Sequence, residues 1–387
     1  NLPLNGEISL IGVGVCSPIV TLITSFAFLV GLGGAPMFSI ALGEKNYQKA
    51  KKILSNALLM LIVVSLVLMI VFYMFSEPIL FLFGASEASI SYALDYLHVY
   101  LIGTFFSLLT LGLVQYLTAQ GESFKAMLTT IIGCIINVGL DPLFMYVFSL
   151  GVKGAALATV ISQFISFILV IFLLVKKSSI KLSFGNYDFK IMLQIVKLGI
   201  SPFIIMATDS FILILLNSAL KLYGHENGDF YIEIATIVQA FETLATGPLL
   251  GISSGTQPIL GYNYGAKNKD LIIKAEKQLL IFALIFTSSF FALSFVIAKP
   301  LAIMFIGIGK ETINYEIVNE ASKIIFYYMI GIIPLSFQYI FVDGLTGLGQ
   351  ARYSIWLSLF RKVGIFIPCL FLLPLISNNV ESCFYAE

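Results

Sequence analysis

Few residues in the apolar stretches of this chain could do chemistry, and several of them fall in pairs at helical spacing. Asn137 and Asp141 are four apart, as are Thr159 and Gln163. On a helix, i and i+4 share one face, so each pair presents its oxygens together. Carboxylate, amide and hydroxyl oxygens suit a hard cation, which makes these four residues a candidate site for Na⁺ or H⁺. The bland alternative is that Asp141-Pro142 marks a helix break and that Asn137 packs helices. Further along, Asp209 follows Pro202 by about two turns, and a proline in a helix frees a carbonyl. Glu242 has Gln239 one turn before it and reads either as a site residue or as a buried hydrogen-bonding group. Ionisable groups inside apolar spans are costly and by default suggest function. Phe203, Met206, Phe241, Gln338 and Tyr339 could line a cavity, with Asp343 nearer the water-exposed end of its span. Aromatic faces attract organic cations, and methionine adapts to varied ligands. Nothing resembles a nucleophile with its base, and His98 and His225 lie in different regions, so no enzyme is expected.

The elements that must carry these residues are membrane helices. Of the 387 residues, 59% are hydrophobic and only 11% charged, where soluble domains run near a quarter charged. Apolar runs near 8–30, 57–76, 97–117, 126–147, 155–175, 196–220, 234–256, 278–298, 324–342 and 355–375 each match a hydrocarbon core of about 30 Å. In lipid such runs must be helical, because no water satisfies the backbone. Arg361 and Lys362 interrupt the last. With ten spans, 17 of the 22 Lys and Arg fall on one side, leaving Lys153, Lys221, Lys299, Lys310 and Lys323 opposite, and the richer side is cytoplasmic. Net charge is +1, which speaks against a nucleic-acid partner. The four cysteines have no metal-ligand spacing, and three read as small apolar residues. Pro36, Pro202, Pro248, Pro258 and Pro334 interrupt spans and are natural bending points.

The chain also repeats itself. Gly33-Gly34-Ala35-Pro36 leading to Gly43-Glu44-Lys45-Asn46 matches Gly255-Thr256-Gln257-Pro258 leading to Gly265-Ala266-Lys267-Asn268, at an offset of 222. At an offset of 228, Tyr100-Leu101-Ile102-Gly103 matches Tyr328-Met329-Ile330-Gly331, and Leu117-Thr118 with Gly121 matches Leu345-Thr346 with Gly349. The six extra residues fit an outer loop near Gly309. Six spans separate the two Gly-x-Lys-Asn loops, so both lie on one side and the halves are parallel repeats about an axis along the membrane normal. The expected fold is an all-α polytopic membrane protein of two six-helix lobes, residues 1–180 and 181–387. The repeat arithmetic places a first and a last helix outside this chain.

Four stretches, GGAPMFSIALGEKN (33–46), NVGLDPLF (137–144), GVKGAALATVISQ (151–163) and GTQPILGYNYGAK (255–267), resemble the multidrug and toxic compound extrusion (MATE) family, in its bacterial cation-coupled branch. The resemblance implies a V of two lobes around a central cavity and exchange of inward Na⁺ or H⁺ for an outward drug. It implies an N-lobe cation site at Asn137, Asp141 and Thr159, completed by an Asp on the first span. It also lends weight to Asp209, whose repeat partner would fall where the family places that Asp. The implied protein is a monomer in the bacterial inner membrane, with cationic or amphiphilic small molecules and the lipid bilayer as partners, no cofactor, and Na⁺ or H⁺ as the coupling ion. The main alternative is a flippase for a lipid-linked precursor, which should carry a more basic interior.

Overall fold

The computed structural model describes residues 6–83, 85–87, 89–307 and 315–386, except the side chains of 6–12, 209, 210, 213, 226, 229 and 305–307. It is a set of long helices: α1 (Gly6–Gly43), α2 (Tyr47–Met74), the short α3 (Ser76–Leu82), α4 (Ile90–Ala119), α5 (Ser123–Pro142), α6 (Gly151–Phe172), α7 (Phe189–Gly224), α8 (Gly228–Gly265), α9 (Lys269–Gly307), α10 (Tyr315–Ile330), α11 (Ile332–Gly347), α12 (Ala351–Leu359) and α13 (Ile367–Ser377). Wider π-helical turns extend α5 through Leu143–Val147 and α6 through Leu173–Lys177, and join α12 to α13 through Phe360–Phe366. Among the described residues eight of these rods are long and apolar enough to cross a membrane, and α10 with α11, bent by 47°, is either a ninth, broken span or a re-entrant loop. Helix α8 is not among them; it carries Glu233, Glu242 and many Ser, Thr and Gly residues. The helices overrun the apolar runs that seed them. The 38 residues of α1 rise about 57 Å, well beyond the hydrocarbon core. Many hydroxyls inside the rods are satisfied locally: Thr24 Oγ1 donates to the Val20 carbonyl at 2.8 Å, and Thr287 Oγ1 to Ala283 at 2.9 Å.

Two compact units result. One comprises Asn1–Ala207 with Gly261–Lys267, the other Thr208–Leu260 with Asn268–Glu387. In the first unit, Tyr116 is fully buried and its hydroxyl donates to the Val30 carbonyl at 3.0 Å, tying α4 to α1. In the second, Phe241, Ile234, Val318, Ile325 and Leu370 belong to one core, closed at one end by the 3₁₀ turn Val380–Tyr385. Burial there pushes the Cys383 thiol up to about 11, so it stays protonated and acts as a small apolar group. All four cysteines are free thiols.

The repeat is legible in hydrogen bonds. Lys45 and Lys267 both adopt left-handed backbone, at φ 58° and 61°. Glu44 N bonds Ile40 O at 2.9 Å, and Ala266 N bonds Tyr262 O at 2.9 Å. At the other offset, Gly121 N bonds Thr118 O and Gly349 N bonds Thr346 O, both at 2.9 Å, with glycine φ of 80° and 76°. The two Gly-x-Lys-Asn loops also meet. A Cβ on Gly43 would overlap the Tyr262 carbonyl oxygen, and one on Gly265 would overlap the Ile40 carbonyl oxygen. Residues 40 and 262 are themselves repeat partners, so the contact is reciprocal. Residues 40–43 and 262–265 thus meet within the first unit. The outer-loop insertion near Gly309 falls outside the described residues.

A polar clamp fixes the segment after α6. Asn56, fully buried on α2, accepts from Asp188 N at 2.8 Å and donates to Asn186 O at 3.3 Å, while Ser55 Oγ donates to Gly185 O at 2.7 Å. Gly185 and Asn186 both have positive φ, which turns this segment back onto α2. Asn56→Ala removes this clamp and strands two backbone groups, and is expected to cost about 2–3 kcal/mol. The check is a lowered melting temperature in detergent with faster trypsin cleavage at Lys177 and Lys181; a wild-type digest would show that the clamp holds nothing.

Candidate functional site

Helices α5 and α6 form a hairpin whose two close approaches bracket a polar cluster. On one side, a Cβ at Gly133 would overlap Ser166 Oγ, and Ser166 Oγ donates to Thr129 O at 3.1 Å. On the other, a Cβ at Gly154 would stand 2.7 Å from the Phe144 carbonyl. Small residues let the helices approach this closely. Gly133, Asn137 and Asp141 are spaced by four and share a face of α5. Asn137 Nδ2 lies 3.3 Å from Asp141 Oδ1 and 3.4 Å from Thr159 Oγ1. Thr159 gives its hydroxyl hydrogen to Ala155 O at 3.1 Å, which leaves its lone pairs facing the cluster. All three are half-buried. Gln163, one turn further along α6, keeps Oε1 buried against Gly103 of α4, without a hydrogen-bond partner among the described residues. The set holds a carboxylate, two amides and a hydroxyl, a donor set that fits a hard monovalent cation once the Asn137 amide turns its oxygen inward.

The second unit contains a cavity of about 280 Å³. Helix α8 lines it with Gln239, Glu242, Thr243 and Thr246, which stand at i, i+3, i+4 and i+7 and so share one face. Tyr328 of α10, Tyr339 of α11 and Arg361 and Phe366 of the Phe360–Phe366 segment complete the polar and aromatic wall. The Tyr328 hydroxyl donates to Glu242 Oε2 at 2.8 Å. Cys383 and Phe384 of the terminal 3₁₀ turn also line this space.

The MatE family model matches residues 2–143 and 202–372. The chain belongs to the MatE family. It is similar to the multidrug export protein MepA of Staphylococcus aureus (strain MSSA476), 26% identical over 359 residues that cover 92% of this chain and 77% of that protein. MepA of Staphylococcus haemolyticus is likewise 26% identical, over 360 residues, with the same coverage. Among solved structures, an outward-facing multidrug resistance MATE transporter superposes with a TM-score of 0.92 at 20% identity, covering 98% of this chain and 84% of that one. A MOP superfamily transporter from Pyrococcus furiosus superposes at 0.91 with 21% identity and the same coverage. At such identities the likeness is one of fold. As a MatE protein with these helices, the chain is a multi-pass membrane protein.

In this MatE chain the other expected residues part company. Asp209 lies on the backbone of α7, and its side chain is outside the described residues. Phe241 is fully buried in the core, edge-on to Phe290 at 5.7 Å, and does not line the cavity. At about 100° per residue, Gln239, Glu242, Thr243 and Thr246 fall within one arc of the helix, and Phe241 falls on the opposite side. Phe203 packs edge-on to Phe26 at 4.9 Å in the first unit, and Met206 is half-buried nearby on α7. Gln338 keeps Oε1 buried, without a hydrogen-bond partner among the described residues. Asp343 is not left to water. Its Oδ1 accepts from Gln257 Nε2 at 2.9 Å and its Oδ2 from Ser253 Oγ, both donors being buried on α8. Glu276 of α9 presses against Gly344, with Oε2 buried beside this group. Sequence reading passed over Glu276, because it precedes the apolar run that marks its helix. It also passed over Tyr328, although Tyr100 at the matching repeat position offered a signal.

Proposed function

We propose that this MatE protein is a cation-coupled multidrug efflux transporter, which lets Na⁺ or H⁺ in and sends organic cations or related amphiphiles out by alternating access. The observation that carries the reading is the meeting of Asn137, Asp141 and Thr159 between two tightly packed membrane helices. An acid held in an apolar span without a basic partner in its cluster is costly unless a cation visits it. Asn137, Asp141 and Thr159, with Gln163 beside them, are the residues that would hold the coupling ion. The cavity of the second unit, with Glu242 and Gln239 facing Tyr328 and Tyr339, is the drug chamber. Its carboxylate and aromatic rings suit a cationic amphiphile. The staphylococcal relatives are multidrug export proteins, which supports drugs as the cargo here.

The energetics require coupling. A monovalent cationic drug leaving against an inside-negative potential of 100 mV needs about 2.3 kcal/mol for its charge alone. The experiment is uptake of a fluorescent cation into inverted vesicles bearing the protein, under imposed Na⁺ or proton gradients. Dye accumulation should follow one gradient and stop when that gradient is collapsed. Transport that proceeds unchanged with both gradients collapsed removes the antiport reading.

A further inference from the structure

The chamber of the second unit is not simply acidic. Glu242 stands on its α8 wall, and Arg361 stands on the wall formed by Phe360–Phe366. That segment is π-helical, and the i to i+5 winding is what brings Arg361 and Phe366, five apart, to the same cavity. π-Turns inside α-helices occur frequently at functional sites. We propose that Arg361 is a specificity residue, and that the chamber receives amphiphiles carrying an anionic group beside a cationic one. The proposal rests on the chamber being the drug site, as argued above.

Each wall sets one condition on the ligand. Glu242, steadied by the Tyr328 hydroxyl at 2.8 Å, offers its carboxylate to an ammonium. Arg361 offers a planar fork that grips a carboxylate through two parallel hydrogen bonds, and its five N–H donors let it hold a protein group and a ligand at once. A ligand with only a positive charge is drawn by Glu242 and repelled by Arg361. A ligand with both charges meets a partner at each wall and enters with no net charge, which matters in a space of low dielectric where an unpaired ion is costly. Tyr328, Tyr339 and Phe366 supply flat apolar surface for the body of the molecule. If Arg361 served only to balance the acids of its own unit, the carboxylate of a ligand would gain nothing from it.

The test uses two fluorescent probes that differ by one carboxyl group, Nε-dansyl-lysine and dansylcadaverine. Binding is read from dansyl brightening on the full chain in lipid nanodiscs. The wild-type protein should bind Nε-dansyl-lysine at least about ten-fold more tightly, the scale of one charge-assisted bidentate contact. Arg361→Gln should erase that preference by weakening Nε-dansyl-lysine alone, and Arg361→Lys should keep part of it. A preference that survives Arg361→Gln, or an equal loss for both probes, overturns the proposal and assigns Arg361 to packing. If Arg361→Gln is not recovered as monodisperse protein, Arg361→Lys decides: at least a three-fold fall in preference supports the fork, and an unchanged preference overturns it. Glu242→Gln and the chamber-filling Val238→Trp test the chamber itself. Both should weaken both probes; if neither does, the chamber is not the drug site, and the failure lies in that earlier reading.

Discussion

Asp141→Asn is expected to abolish ion-driven export while leaving the protein folded and in the membrane. The substitution is nearly isosteric. Asn137 Nδ2 now lies 3.3 Å from Asp141 Oδ1, and an asparagine carbonyl oxygen at 141 can accept the same bond. The packing that frames the cluster is carried by Gly133 against Ser166 and Gly154 against Phe144, none of which changes. Stability should therefore move by less than about 1 kcal/mol. The charge, in contrast, is lost outright. Removing the one carboxylate from a cation site forfeits on the order of 3 kcal/mol, about a hundred-fold in ion affinity. The measurements are gradient-driven dye efflux and detergent melting on the same preparation. Thr159→Val should give a milder loss, since it removes one neutral oxygen. Normal gradient-driven efflux by Asp141→Asn would return this acid to a structural role beside Pro142.

Gly265→Val and Gly43→Val should each reduce folded protein severely, through the same contact approached from its two sides. A Cβ at either position overlaps a backbone carbonyl oxygen, of Ile40 or of Tyr262. Backbone cannot rotate aside as a side chain can, so both helix ends must separate. Overpacking of this kind costs typically 1–3 kcal/mol, and a β-branched residue against backbone belongs at or above the upper end. Gly251→Val is the control, since a Cβ there meets nothing within 4 Å. Yield of monodisperse protein and melting temperature read the outcome. If Gly265→Val melts with the wild type, the reciprocal contact is not a real constraint on the fold.

The membrane class, most of the ten expected spans and the repeat were open to sequence reading, because lipid imposes long apolar runs and because proline, glycine, asparagine and lysine rarely align by chance; the run at 234–256 was not such a span, since its helix α8 carries Glu233, Glu242 and many small polar residues. Of the Asn137, Asp141 and Thr159 cluster, spacing gave the first two, which share a helix face, and the resemblance to the family joined Thr159 of the next helix to them. What sequence could not give was side-chain direction across elements far apart in the chain. Phe241 and Glu242 are neighbours in sequence, yet one enters the core and the other the cavity. Asp343 reads as water-exposed by position, and only the fold shows Ser253 and Gln257 of α8 folded over it. Glu276 was lost at a boundary, because α9 begins at Lys269, nine residues before the apolar run expected from 278. Arg361 appeared as a blemish in the last span, since a pattern read at 3.6 residues per turn has no place for π winding.

That winding has a consequence for how such a chamber changes over evolutionary time. A stretch wound at i to i+5 absorbs residues that an α-helix of the same rise would not hold, so its length is a variable of its own. Deleting one residue within Phe360–Phe366 would let the stretch close to ordinary α winding, with the helix beyond it held nearly in place. A deletion between Arg361 and Phe366 would leave the two four apart and still on one face, whereas a deletion in an α-helical wall would turn everything beyond it by about 100°. Losses of single codons are thus absorbed in this span where they would not be elsewhere, and the range of molecules admitted can drift through indels here as well as through exchanges of side chains.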